Sequence, residues 1–138
     1  MRVFVDGSVF IYGLEFAESN SALIYDGIAR GAVKAVINEK VIDEVVKYFG
    51  RRKGRHFAYL IAFQLRRICE VKQRQDYAGG IENWKGQIKE KDLEHLATAK
   101  AFNLEIVAFD ADFQSFEEYH TPKQFVEVLG ERPYEVQW

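Results

Sequence analysis

The spacing of apolar and polar positions along the chain predicts strands that alternate with helices. Short runs rich in β-branched residues occupy positions 2–5, 32–37 and 105–109, and each fits a buried strand. Between them, apolar residues recur at helical spacing and Gly, Ser, Asn or Thr-Pro stand at the boundaries. The predicted helices cover residues 9–18, 22–31, 39–50, 54–71, 89–103, 112–119 and 122–130. Residues 76–86, which contain two adjacent glycines, are predicted to form a loop.

This order of elements predicts the fold class. Strands separated by helices form a mostly parallel sheet through right-handed crossovers, with helices on both faces. We therefore predict an α/β protein, a three-layer α/β/α sandwich. The 138 residues, 48% of them hydrophobic, suffice for one core and leave no room for a second. A single domain spanning residues 1–138 is expected.

The predicted helix over residues 54–71 is amphipathic and basic. Its apolar positions are Phe57, Leu60, Ile61, Leu65 and Ile68, and its other side carries Arg55, Tyr59, Phe63, Arg66 and Arg67. Net charge is −2 for the whole chain, yet residues 51–74 hold eight Lys or Arg and one acid. Such a surface fits RNA phosphates and bases, an acidic segment of a partner protein, or a dimer interface rimmed by arginines. The mixture of aromatic and basic residues favours an interface or partner over a dedicated RNA groove.

Cysteine content and hydropathy bear on the cellular setting. Cys69 is the single cysteine, so no disulfide forms within the chain, and no zinc-ligand spacing is present. The apolar run at 57–63 is too short to cross a bilayer. A cytoplasmic protein with no membrane association is expected.

Five acids stand where strands end and helices begin. Asp6 follows the first strand, Asp110 and Asp112 follow the third, Glu44 lies in an early helix, and Asp92 opens a later one. In parallel sheets, ligands collect beyond the carboxyl ends of the strands. Carboxylate oxygens suit a hard divalent cation such as Mg²⁺ or Mn²⁺. Taken singly, each acid also fits a cap, a helix-dipole partner or a solvated residue, and Asp112 fits the N-cap of the next helix.

Five segments carry a further signal through their order along the chain. They are R-V-F-V-D-G-S-V-F-I-Y at the start, V-I-D-E-V-V, K-D-L-E-H-L-A-T-A-K, I-V-A-F-D-A-D-F and T-P-K-Q-F-V-E-V-L. In this order they resemble the PIN-domain nucleases. Each segment alone is a weak signal, and the ordered set covers most of the chain. The resemblance implies the PIN fold, in agreement with the fold class predicted from the order of elements.

The resemblance also implies a site and an activity. The metal-binding and catalytic acids of the family fall on Asp6, Glu44, Asp92 and Asp110, with Asp112 and Ser8 as accessory residues. The implied activity is endonucleolytic cleavage of single-stranded RNA by metal-activated water, with Mg²⁺ or Mn²⁺ as cofactor and no covalent enzyme intermediate. Many members of this size are VapC-type toxins, which implies an antitoxin partner and a homodimer.

Two functional alternatives and one departure from the family accompany this resemblance. The D-G-S start also fits the related NYN group of RNA-processing nucleases, and a module that kept the fold without turnover would bind RNA or a partner. The departure is His95, which stands where the family often has an apolar residue. Its side chain is expected either to face the site or to be a packed, hydrogen-bonded histidine.

Overall fold

The computed structural model describes residues 1–138 and contains one five-stranded sheet. The strands are β1 (Arg2–Val5), β2 (Lys34–Asn38), β3 (Cys69–Lys72), β4 (Glu105–Val107) and β5 (Tyr119–His120). Their order across the sheet is β3-β2-β1-β4-β5, and every neighbouring pair is parallel. The predicted α/β/α fold class is confirmed, with a sheet that is wholly parallel.

Six α-helices connect and cover the strands. They are α1 (Gly7–Glu15), α2 (Asn20–Ala29), α3 (Glu39–Lys53), α4 (Arg55–Ile68), α5 (Leu93–Ala101) and α6 (Pro122–Val128). Side-chain caps begin four of these helices, at Asp6, Ser19, Asn38 and Thr121. None of the helices is long and apolar enough to cross a membrane.

The strand order creates a switch point between β1 and β4. The chain runs outward on one side of β1 through β2 and β3, then returns to place β4 and β5 on the other side. Beyond the carboxyl ends of β1 and β4 the connections therefore diverge and leave a crevice. The two strand ends stay in contact there, because the backbone N–H of Asp6 donates to the carbonyl of Val107 at 3.0 Å.

The core surrounds β1, β2 and β4, whose apolar residues are buried on both faces of the sheet. A second, smaller cluster contains Tyr77, Ile81, Leu93 and Ala97. It packs the segment 78–84 against α5, so the predicted loop at 76–86 is a series of 3₁₀ turns with two buried anchors. This packing orders the approach to α5, which carries part of the site described below.

The predicted end of the third helix is wrong. The helix continues through Gly50 and ends at Lys53, because Gly50 packs beside Ala58 of α4 and keeps a helical backbone. The chain reverses at Gly54, whose φ of 87° is favourable for glycine and strained for other residues. Gly54 is therefore the true helix terminator.

The sequence pattern also missed the two edge strands. Residues 69–71 were expected to belong to the basic helix and instead lie in β3, while β5 lies at the end of the expected 112–119 helix. Both strands are short and pair on one side only, so their positions depend on the neighbouring strand more than on their own pattern. Leu60, expected on the apolar side of α4, is 54% exposed beside Tyr59 and Phe63.

Candidate metal centre

A pocket of about 200 Å³ opens at the carboxyl edge of the sheet, where β1 and β4 diverge. The residues that line it are Asp6, Gly7, Ser8, Ile11, Glu44, Lys91, Asp92 and Asp110. The structure thus brings together the four acids proposed from the sequence, although they come from four separate segments. Asp112 adjoins them, with a carboxylate oxygen within 4.8 Å of oxygens from Asp92 and Asp110.

Asp6 is fixed by the turn that joins β1 to α1. Its Oδ2 accepts hydrogen bonds from the backbone N–H of Ser8 at 3.1 Å and from Ser8 Oγ at 2.6 Å. Ser8 Oγ in turn accepts from the N–H of Phe109 at 3.2 Å, which ties this turn to the segment after β4. Asp6, rather than Ser8, is the N-cap of α1. Its second oxygen, Oδ1, lies 3.6 Å from His95 Nε2.

Glu44 reaches the pocket from the second turn of α3. His95 Nε2 lies 2.7 Å from its Oε1, and the missing side chain of Gly7 leaves room for the same oxygen. A Cβ at Gly7 would lie 3.2 Å from Oε1, closer than ordinary contact. The position of this carboxylate is therefore set by a glycine on one side and an imidazole on the other.

Asn38 determines the role of each nitrogen of the buried His95 ring. Its Oδ1 accepts from the N–H of Val41 at 3.0 Å, which fixes the orientation of the amide. Its Nδ2 donates to Thr98 Oγ1 at 2.9 Å and lies 3.3 Å from His95 Nδ1. Because Nδ2 can only donate, Nδ1 of His95 is the acceptor and the neutral ring carries its proton on Nε2. Nε2 therefore donates to Glu44.

The charge environment of His95 supports the same contact. Burial disfavours the charged ring, but the hydrogen bond to Glu44 and the negative charges of Asp6 and Glu44 outweigh it and raise the pKa of His95. The imidazolium form also carries a proton on Nε2. In both forms His95 donates to Glu44 and cannot use Nε2 as a metal ligand.

Asp92 is the most perturbed acid of the pocket. It is buried, and its Oδ2 has no hydrogen-bond partner. Burial, together with the negative charges of Asp6 and Asp110, raises the pKa of Asp92 to about 7. Although it stands at the N-cap of α5, its side chain makes no capping hydrogen bond. A cap therefore does not explain this residue.

Asp110 and Asp112 face two lysines from the segment before α5. Lys91 Nζ lies 3.1 Å from Asp110 Oδ2 and 3.8 Å from Asp112 Oδ2, and Lys89 Nζ lies 3.3 Å from Asp112 Oδ1. Burial acts to raise the pKa of Asp110, but the N–H of Asp112 and the Lys91 ammonium outweigh it and lower that pKa. Asp110 is the cap of the 3₁₀ turn Ala111–Phe113, so the expected alternative of Asp112 as an N-cap is wrong.

The donor set fits a hard divalent cation. Asp92 Oδ2 and Asp112 Oδ2 are both buried without hydrogen-bond partners, so they offer lone pairs that nothing in the protein satisfies. All available ligand atoms are carboxylate oxygens, because the Nε2 proton of His95 is committed to Glu44. Oxygen-only sites with open positions for water suit Mg²⁺ and Mn²⁺.

The residues predicted for the basic face of α4 do not line this pocket. Tyr59 is 60% exposed, and Arg66 is bound through both guanidinium nitrogens to Glu39 at 2.8 Å. Arg55 and Arg67 are exposed on the same helix. Sequence reasoning missed the lysines at the pocket, although the alternating K-E-K-D run before α5 was a usable signal.

Comparison with known proteins gives a family match. The family model of the PIN domain matches residues 3–119. No curated protein sequence matches this chain.

Three solved structures illustrate the similarity of fold. A toxin–antitoxin complex from Klebsiella pneumoniae has a chain that is 17% identical, with a TM-score of 0.67, and the match covers 87% of this chain and 97% of that one. VapBC2 from Rickettsia felis, bound to a promoter DNA fragment, is 15% identical with a TM-score of 0.64, and the match covers 86% of this chain and 96% of that one. VapC20 from Mycobacterium tuberculosis, a toxin that cleaves the sarcin-ricin loop, is 17% identical with a TM-score of 0.61. The match covers 83% of this chain and 95% of that one.

The raised pKa of Asp92 predicts that this residue destabilises the metal-free protein. From the ordinary value of 3.8 up to about 7, the folded state keeps a proton that the unfolded state releases. Stability therefore falls as the pH rises through that window. In chelator, Asp92→Asn should raise the free energy of unfolding at pH 8 by a few kcal/mol, since each pKa unit is worth about 1.4 kcal/mol.

Urea denaturation of both proteins across the pH range measures this difference. The advantage of Asp92→Asn should shrink below pH 4, and added Mn²⁺ should stabilise the natural protein more than the variant. An advantage independent of pH would contradict the account of Asp92.

The His95–Glu44 contact predicts that the replacement at position 95 decides metal affinity. Glutamine can present its amide nitrogen near the place of Nε2, whereas leucine fills the space without a donor. His95→Leu should weaken Mn²⁺ binding by about tenfold, as expected when a group that orients a ligand is lost, and His95→Gln should retain most of it. Calorimetric titration with Mn²⁺ measures both.

A double-variant cycle separates positioning from general packing. If His95 acts through Glu44, His95→Leu should have little further effect on Mn²⁺ affinity once Glu44→Gln is present. Equal losses in both backgrounds would refute the positioning role.

Proposed function

The chain belongs to the PIN domain family, and on that premise we propose that it is a divalent-metal-dependent endoribonuclease that cleaves single-stranded RNA. The observation that carries this proposal is the shared pocket of Asp6, Glu44, Asp92 and Asp110, with unsatisfied buried oxygens on Asp92 and Asp112. The similarly folded VapC20 is a toxin that cleaves the sarcin-ricin loop, and for the present chain RNA cleavage is part of the proposal.

The cofactor would be Mg²⁺ or Mn²⁺, held by Asp6, Glu44, Asp92 and Asp110 with Asp112 beside them. When bound, such an ion lowers the pKa of a coordinated water and neutralises charge that develops on the phosphate. The protein holds the ligands in place beforehand: Ser8 restrains Asp6, and His95 restrains Glu44. Binding would also offset the burial and the negative charges of Asp6 and Asp110, which together raise the pKa of Asp92 in the metal-free protein.

Water, rather than a side chain, is the proposed nucleophile. Ser8 is the hydroxyl residue of the pocket, and its Oγ donates to Asp6 while accepting from the N–H of Phe109. The acceptor of the Ser8 hydroxyl is Asp6 Oδ2, a carboxylate proposed to hold the cation, and His95 is engaged with Glu44, so neither group serves as a base for Ser8. The chain therefore supports hydrolysis without a covalent enzyme intermediate.

The biological role we propose is that of a toxin in a toxin–antitoxin pair. This proposal is supported by the similarity of fold to the toxin and toxin–antitoxin proteins described above. The exposed face of α4, with Tyr59, Leu60 and Phe63 at its centre and Arg55 and Arg67 beside them, is the proposed interface for the antitoxin or a second copy of the chain. Its apolar side chains are 54–63% exposed, which is costly for a surface that meets only water.

Adjacent acids on α3 give a matched test of the catalytic proposal. Glu44 lines the pocket, whereas its neighbour Asp43 is exposed and lies outside it. Glu44→Gln should lower Mn²⁺-dependent cleavage of a labelled single-stranded RNA by about a hundredfold or more, because metal stabilisation of the transition state is worth several kcal/mol. Asp43→Asn should cleave at the normal rate. Equal activity of the two variants would contradict the assignment.

Growth experiments test the proposed role separately from the chemistry. Expression of the protein should arrest growth, Glu44→Gln should not, and co-expression of a short neighbouring gene product should restore growth. An active ribonuclease that leaves growth unchanged would instead indicate an RNA-processing enzyme. A folded protein that binds RNA without cleaving it would indicate a silent binding module.

A further inference from the structure

The carboxylate pocket is bordered by lysines of the segment that leads into α5. This segment, residues 85–91, contains Lys85, Lys89 and Lys91, and their side chains are 52%, 68% and 62% exposed. An acidic pocket by itself repels a nucleic acid strand, so an RNA-cleaving site needs positive charge at its border. The path by which RNA would reach the pocket is inferred from these lysines, and it rests on the proposed ribonuclease function.

A second groove, of about 570 Å³, lies beside the carboxylate pocket and shares Lys91 with it. Its cationic side chains are Lys40, Arg74, Lys85 and Lys91, and its acids are Glu82, Glu90 and Glu94. The shared lysine makes the two cavities neighbours. A strand that leaves the pocket in this direction enters the groove directly.

The acids of the groove do not neutralise all its cations. Arg74 pairs with Glu94 at 2.8 Å, and Lys85 pairs with Glu82 at 2.7 Å. Lys40 Nζ has no acidic partner and donates to the carbonyl of Lys91 at 2.5 Å. Glu90 likewise forms no ion pair, so the four cations of the groove exceed its three acids by one. The Lys40 ammonium also holds the backbone of Lys91 at the boundary of the two cavities.

Lys91 competes with a divalent cation for the same oxygens. Its ammonium lies 3.1 Å from Asp110 Oδ2 and 3.8 Å from Asp112 Oδ2, and Asp112 Oδ2 is one of the two unsatisfied buried oxygens. An ammonium and a divalent cation at the same carboxylates repel each other, and the doubly charged ion has the stronger attraction. Lys91 is long and 62% exposed, so it can turn away into the groove that it already lines.

We propose that Lys91, assisted by Lys40 and Lys85, binds a backbone phosphate of the RNA next to the scissile bond. Its ammonium pairs with Asp110 in the metal-free protein and with that RNA phosphate when the cation site is filled. RNA phosphates therefore lie along the groove before α5, and the basic face of α4 remains available for a protein partner.

Two affinities that should change in opposite directions, for Mn²⁺ and for RNA, test this role of Lys91. In calorimetry without RNA, Lys91→Met should bind Mn²⁺ several-fold more tightly, because the competing ammonium is gone. RNA affinity is measured by fluorescence anisotropy with Mn²⁺ in an Asp6→Asn background, which keeps the Asp92, Asp110 and Asp112 carboxylates and leaves the RNA uncut. There, Lys91→Met should weaken binding by about tenfold at low salt and reduce the salt-dependence slope by about 0.7.

Charge-matched variants define the surface that binds RNA. Lys91→Arg should keep most of the RNA affinity, and Lys85→Met should lose part of it. Lys47→Met, on an exposed part of α3, and Arg55→Met, on α4, should bind RNA normally. A loss for Arg55→Met with none for Lys91→Met would overturn the proposal and assign RNA to α4.

Other outcomes also separate the two proposals. Simultaneous weakening of Mn²⁺ and RNA binding by Lys91→Met would mean that Lys91 only maintains the shape of the site, and would overturn the exchange. Unchanged RNA affinity would overturn the groove while leaving the ribonuclease intact. If the natural protein neither binds nor cleaves RNA, the proposed function itself fails, whatever Lys91 does to Mn²⁺ affinity.

Discussion

The candidate site depends on one constraint, the cost of burying carboxylates side by side: oxygens of Asp92, Asp110 and Asp112 lie within 4.8 Å of one another. Asp92 shows the size of this cost, because burial first, and then the negative charges of Asp6 and Asp110, raise its pKa to about 7. Lys91 and Lys89 offset part of the repulsion at Asp110 and Asp112. A divalent cation would offset more of it, so the electrostatics that destabilise the metal-free protein favour metal binding.

The fold holds these repelling groups together through hydrogen bonds outside the pocket. Asn38 caps α3, and its amide also donates to Thr98 and faces His95, both on α5. One buried amide therefore joins the helix that carries Glu44 to the helix that Asp92 precedes. Ser8 joins the ends of β1 and β4 in the same way. These contacts let a parallel sheet place acids from four distant segments at one edge.

The fold class and the three central strands could be predicted from sequence, because strong periodicity carries that information. Asp6 and Asp110 could be placed at the sheet edge because they follow strands, whereas Glu44 and Asp92 were assigned through the resemblance of their segments to the PIN-domain nucleases. Edge strands β3 and β5 could not, since two to four residues paired on one side take their conformation from the neighbouring strand. The contacts of His95 and Lys91 were also beyond reach. A histidine one turn after Asp92 has no local signature, and the K-E-K-D run draws attention to Lys91 without indicating its partner. Only the packing of α3 against α5 and of the segment before α5 gives these two side chains their partners.

The central claim is that these carboxylates form one cation site at the switch point between β1 and β4. The most direct measurement is anomalous diffraction from a crystal of the protein soaked in Mn²⁺. We expect an anomalous peak in the pocket, in contact with Asp92 and at least two of Asp6, Glu44 and Asp110, and we expect Lys91 to be turned away from Asp110. An empty pocket at saturating Mn²⁺, or a peak only at acids elsewhere on the surface, would contradict it.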